Sequence, residues 1–214
     1  MSSELLRLLE VMDRLRSPGG CPWDAEQTHQ SLLKYLLEES YEFVDSVDQD
    51  DREAMREELG DILLQVYFHS RIAQDHPTDP FDIEEVAKGI SDKLIRRHPH
   101  VFGDVKINSD EELLQNWERK KAEEKGRKSA TDGVALSQPA LSLITKLIYR
   151  AEKNGIDLNL PTSLLNNEVP TDVAIGDALV AAVVAAIKEG IEPEDLLRSR
   201  AREISDEIKR LEAL

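Results

Sequence analysis

Two pairs of carboxylates stand three residues apart in this chain: Glu39 with Glu42 and, after fifteen intervening residues, Glu58 with Asp61. On a helix, residues three apart share a face, with Cβ atoms about 5–6 Å apart. Two such helices packed antiparallel would aim all four side chains at one spot. An oxygen-only ligand set suits a hard divalent cation, here Mg2+ with Mn2+ as a substitute. Carboxylate-held magnesium is a common means of binding a nucleotide's phosphates and cleaving them. The spacing alone is not selective, because the acidic chain repeats it at Glu10/Asp13, Asp82/Glu85, Glu189/Glu192 and Glu203/Asp206, and most such pairs are solvated helix faces. The surroundings separate this quartet from the others. Leu36, Leu37 and Phe43 bracket the first pair, and Leu59, Ile62, Leu63 and Val66 the second. A carboxylate pressed toward an apolar stripe is costly unless paired or metal-bound.

The elements that must position the quartet read as helices. Leu5, Leu8, Leu9, Met12 and Leu15 make a first stripe that stops at Ser17-Pro18-Gly19-Gly20. A loop from Cys21 to His29 follows. The next helix is expected from Ser31 to Val47, and the short polar turn Asp48–Asp51 returns a third, Arg52 to Gln74, antiparallel to it. Asp82 is placed to cap a fourth that ends near Arg97, before Pro99. No strand is expected, so the fold class is all-α. The first unit is drawn at 1–125, with Arg119 to Lys125 as a charged helical tail. A small, polar linker covers 126–138 and a second unit 139–214.

Composition narrows the partners. The 214 residues carry 43 acidic and 27 basic side chains, a net charge of −16. That excludes a general nucleic-acid binder, which needs a basic footprint. An acidic protein that takes a phosphate ester needs metal ions to invert the local charge, which agrees with the quartet. No apolar run is long enough to cross a bilayer, and Met1 to Leu9 lacks a secretory pattern. The single cysteine, Cys21, cannot form an intrachain disulfide. A cytoplasmic protein is expected.

The second half echoes the first. Ile175-Gly176-Asp177-Ala178-Leu179 matches Leu59-Gly60-Asp61-Ile62-Leu63, and the stripe Leu141, Ile144, Leu147, Ile148 before Gly155-Ile156-Asp157 echoes the first helix and its turn. The copy is degenerate where chemistry would sit. Asp177 is kept, Ala174 stands where Glu58 would be, and the acidic second helix is cut to a stub around Thr162 to Glu168.

Gly19-Gly20-Cys21-Pro22-Trp23-Asp24, Glu26-Gln27-Thr28-His29, Glu38-Glu39-Ser40-Tyr41-Glu42, Glu57-Glu58-Leu59-Gly60-Asp61 and Arg96-Arg97-His98-Pro99-His100-Val101-Phe102-Gly103 occur in that order. Together they resemble the MazG nucleoside triphosphate pyrophosphohydrolases over roughly residues 5 to 125. The resemblance implies an all-α bundle completed by dimerisation. It implies hydrolysis of nucleoside triphosphates to monophosphate and pyrophosphate, and magnesium on Glu39, Glu42, Glu58 and Asp61. It also implies nucleotide contacts from Lys93 and Arg97, and from Trp117 with Lys120 or Lys121. Two-unit members carry a complete second set of carboxylates; this chain does not, so its first unit is expected to be the active one.

Other roles follow from the residues themselves. Glu38, four before Glu42, is placed to orient or deprotonate the attacking water, or else to pair with Lys34 on the surface. Lys93 and Arg97 are either phosphate ligands or a basic helix end. Trp23 and Trp117 either stack on a base or pack at element boundaries. A homodimer or larger assembly is expected, because Leu32, Leu33, Leu36, Leu37, Phe43 and Val44 present apolar surface on more than one side. Three alternatives stand beside the broad nucleotide hydrolase: a narrow pyrimidine deoxynucleotide pyrophosphatase, a di-metal carboxylate oxidase using Glu26 and His29, and a non-enzymatic acidic scaffold.

Overall fold

The long helices of the first half start where a side chain can satisfy their free backbone amides. A computed structural model describes residues 3–105, 109, 112–113, 116–117, 120, 124, 129–162 and 171–212. Helix α1 (Glu4–Arg16) is capped by Ser3, whose hydroxyl accepts from the Leu6 amide. Helix α3 (His29–Asp48) opens on a reciprocal box between Thr28 and Ser31. Helix α4 (Arg52–Gln74) is capped by Asp51, which accepts from the Glu53 and Ala54 amides. Helix α5 (Ile83–Arg97) opens on a Asp82–Glu85 box. Between α1 and α3 lies a one-turn helix α2 (Pro22–Glu26) where a loop was expected, with Pro22 at its first position. The α3 start also lies earlier than Ser31, because Thr28 is the cap. A short α6 (Pro99–Phe102) follows α5.

The chain divides into two compact units, Met1–Trp117 and Glu118–Leu214. In the first, α3 and α4 form an antiparallel hairpin joined by the short turn through Asp50, which takes a left-handed φ of 53°. Helix α1 packs on α4 and closes a core of Met12, Leu32 and Phe68, ringed by Leu15, Tyr35, Leu64 and Ile72. Met12 and Leu32 are each only 1% exposed; burying such a side chain stabilises by about 2 kcal/mol. The chain leaves α1 through Gly19, with φ of +79°, and Gly20. A Cβ on Gly20 would meet the Arg14 and Leu15 carbonyl oxygens at 2.3 Å, so only glycine lets the backbone fold back toward α4.

The second unit holds α7 (Ala140–Lys153), α8 (Asp172–Lys188) and α9 (Pro193–Glu212). Among its described residues the buried apolar ones are Ile148, Ala151, Ala181 and Val183. Residues 129–139 run through turns and irregular backbone. The expected tail at Arg119 to Lys125 lies outside the described residues except for Lys120 and Glu124, and the stub beyond Thr162 lies wholly outside them. Among the described residues there is no strand, and no helix is long and apolar enough to cross a membrane.

Candidate functional site

Antiparallel pairing of α3 and α4 brings Glu39 of the first helix opposite Glu58 and Asp61 of the second. One carboxylate oxygen from each lies within 4.8 Å of the others, and all three side chains are half-buried. Glu42 is exposed and lies at the margin of this group, close enough for its charge to act on both Glu39 and Glu58. Burial, then the charges of Asp61, Glu42, Glu58 and Glu38, push the Glu39 carboxyl above its ordinary range. Burial, then Glu42, Asp61 and Glu57, push Glu58 the same way. A cation among these oxygens would relieve the repulsion, so the donor set fits a hard divalent metal.

Most of the other expected residues lie on helices of the first unit. Glu38 is exposed and adjoins the group, adding its charge to the field at Glu39. Lys34 does not pair with it; its ammonium lies 4.5 Å from the centre of the Tyr35 ring. Lys93 is half-buried and Arg97 buried at the end of α5, four residues apart on one helix side. The Arg97 guanidinium lies over the Trp117 ring at 5.7 Å. Lys120 is half-buried, and Lys121 is outside the described residues. Trp23, on α2, is 50% exposed. Its ring meets Tyr35 edge-on at 6.0 Å and Phe68 at 6.5 Å. In the second unit Asp177 is exposed on α8 beside Ala174. Among the described residues the only group of three metal-capable side chains is that of the first unit.

One pairing carries no signal in the sequence. His29 at the start of α3 and His69 near the end of α4 bring their Nδ1 atoms to 2.8 Å. Their planes differ by 4° and their centroids are 5.1 Å apart. With facing nitrogens that close, so long a centroid separation means rings set edge to edge, sharing one proton in line, rather than stacked. Burial, then His29, lowers the His69 pKa and favours its neutral form. Glu26 closes α2 and His29 opens α3, so the one Glu-x-x-His match of the oxidase alternative does not lie on a single helix.

The family model described as the MazG nucleotide pyrophosphohydrolase domain matches residues 27–102, a span that contains α3, α4, α5 and the three converging carboxylates. The Thermotoga maritima nucleoside triphosphate pyrophosphohydrolase/pyrophosphatase MazG is 37% identical over 97% of this chain and 85% of its own length. A Streptomyces cacaoi protein, described only as an uncharacterized 26.1 kDa protein in the blaB 3′ region, is 46% identical over 98% of this chain and 83% of its own. The Mycobacterium tuberculosis nucleoside triphosphate pyrophosphohydrolase is 45% identical over 84% of this chain, which spans 55% of that relative's length. The crystal structure of a mazG-related protein from Thermotoga maritima aligns with a TM-score of 0.46 and 32% identity, over 54% of this chain and 97% of that one. By sequence from end to end, and by the domain that holds its carboxylate cluster, this chain belongs to the MazG family of nucleoside triphosphate pyrophosphohydrolases, hydrolases that act on acid anhydrides.

Proposed function

We propose that the first unit is a magnesium-dependent pyrophosphohydrolase of broad specificity, converting nucleoside or deoxynucleoside triphosphates and water to the monophosphate and pyrophosphate in nucleotide-pool housekeeping. The observation that carries this reading is the convergence of Glu39, Glu58 and Asp61 within 4.8 Å, with Glu42 at the margin. These four would hold the metal. Magnesium, when bound, neutralises triphosphate charge and acidifies water. Water oxygen attacks the α-phosphorus, the bond from that phosphorus to the α–β bridging oxygen breaks, and pyrophosphate leaves. Glu38, exposed beside Glu39, orients the water and takes its proton. Lys93 and Arg97 bind phosphate oxygens. Trp23 offers its exposed indole to the base, and Trp117 frames the nucleotide on the α5 side; Lys120 is a further nucleotide contact in this reading.

The active species in this reading is at least a homodimer. Of the expected apolar set, Leu32 is taken up by the core and Leu36, Phe43 and Val44 are half-buried, but Leu33 and Leu37 are 52% and 57% exposed. Tyr41, Leu59 and Val66 extend that outward apolar surface. The second unit lacks a complete ligand set among its described residues and serves packing rather than chemistry.

Product analysis by anion exchange, with and without a chelator and across a panel of ribo- and deoxynucleotides, tests the reading. Monophosphate with pyrophosphate, lost on chelation and restored by magnesium, is expected. Diphosphate with single phosphate would overturn attack at the α-phosphorus.

A further inference from the structure

We propose that Arg16 is the positioning residue for the nucleobase platform: by fastening the segment that carries Trp23 it sets substrate affinity, and it takes no part in bond breaking. The inference rests on the reading of Trp23 as a stacking surface.

Trp23 stands on α2, an element that cannot hold itself. It has five residues, and its N-cap residue, Cys21, makes no side-chain cap bond. So short a helix is far below the length at which helices persist alone. What fastens it is the last residue of α1. The Arg16 side chain is 7% exposed. Its Nη1 donates to the backbone oxygen of Asp24 and, at 3.2 Å, to that of Gln27. These carbonyls lie at the C-terminal end of α2, where a cation is favoured. The same guanidinium lies 5.5 Å from the centre of the Phe68 ring, and Phe68 is one of the two rings against which Trp23 packs. Arg16 is itself held: Nη2 is 3.8 Å from Asp75, which also takes a 2.8 Å bond from Arg71, and Arg71 bonds Asp13 at 2.9 Å. Arg16 therefore grips the backbone on one side of Trp23 and backs its aromatic neighbour on the other. A planar fork with five donors can do both; an ammonium cannot.

The platform is also at a suitable distance. Tyr35 precedes Glu39 by four residues and Phe68 follows Asp61 by seven. At about 1.5 Å per residue these are offsets of about 6 and 10 Å along the helices. That is the reach of an extended nucleotide from its α-phosphate to its base.

A double-mutant cycle on the full chain, with initial rates of pyrophosphate release from ATP, tests the assignment. Trp23→Ala should raise KM about tenfold with kcat within about twofold, the size of one stacking contact. Arg16→Lys and Arg16→Met should each raise KM about three- to tenfold, again with kcat nearly unchanged. In a Trp23→Ala background neither should raise KM further. Trp23 emission, read in a Trp117→Phe background, should shift to the red with either Arg16 change. If Arg16→Met does not fold, Arg16→Lys carries the test. A KM increase of equal size in the Trp23→Ala background, or a fall in kcat matching the rise in KM, would overturn the role of Arg16. An unchanged KM for Trp23→Ala alone would instead remove the stacking reading on which it rests.

Discussion

Replacing Glu39 by Gln should help the metal-free protein and ruin the enzyme. Glu39 faces Glu58 and Asp61 with oxygens within 4.8 Å. At that distance two unit charges in a water-like medium repel by about 0.9 kcal/mol before salt screening. The site is half-exposed, so the water-like limit applies, and relief of Glu39's own repulsion is worth about 1 kcal/mol. For a protein of this size that corresponds to about 2–4 °C in Tm. The sign follows from the direction of the shift. Glu39 titrates above its ordinary value of 4.5, so across that window the folded state holds more protons than the unfolded one. Metal-free wild-type stability therefore falls as pH rises through it. Glu39→Gln escapes this penalty: its melting temperature should exceed that of wild type at pH 7–8 in chelator, and the two should converge below pH 4. Magnesium should raise the wild-type Tm and leave the variant nearly unmoved, because Gln keeps the shape and loses the charge. Loss of one ligand of about 3 kcal/mol to the transition state lowers pyrophosphate release by about a hundredfold. Calorimetry in chelator and in magnesium, beside rate measurements, reads all three effects. A variant that melts lower than wild type in chelator, or that gains as much as wild type from magnesium, would refute the reasoning.

Glu38→Gln should lower kcat by about a hundredfold, as loss of a general base does, while the magnesium-induced rise in Tm is kept; equal loss of both would make Glu38 a ligand instead. Asp177→Asn, the matched change in the second unit, should leave pyrophosphate release within about twofold, since Ala174 and exposed Asp177 make no cluster there; a large loss would assign chemistry to the second unit. Gly20→Ala should cost at least about 2 kcal/mol by denaturant melts, because its Cβ would lie 2.3 Å from two backbone oxygens that side-chain movement cannot relieve. Leu37→Lys, at an exposed apolar position, should shift light scattering from dimer toward the 24.2 kDa monomer with circular dichroism unchanged; a wild type that scatters as a monomer would refute dimerisation itself.

Much of the fold was legible because it is local. The α4 limits, Arg52 and Gln74, follow from a cap, an apolar period and the stop at Asp75-His76-Pro77. Asp82 announces α5 in the same way. The boundary at α2 was missed because one turn is too short for a period to register, and because its support, Arg16, comes from another helix. His29 and His69 were missed for a related reason: they stand forty residues apart, and only the α3–α4 register brings them together.

The sequence by itself determined which donors are on offer. Two carboxylate pairs at helical spacing, each beside an apolar stripe, supply oxygen donors on two helices, and in a chain of charge −16 a phosphate ligand would call for a cation. It also puts Ala174, which cannot act as a carboxylate ligand, where a repeat of the first unit would need one. Tertiary structure decided which acids converge. Spacing treats Glu42 as the equal of Glu39, but the packing of α3 on α4 brings Glu39 together with Glu58 and Asp61 and leaves Glu42 exposed at the edge. Only the packing set Trp23 against Tyr35 and Phe68 under the hold of Arg16. The physical reason is one of range. Caps, turns and periodicity are fixed by neighbours within four residues, whereas the meeting of side chains from different helices depends on how whole faces bury their apolar area, which no spacing along one strand of sequence records.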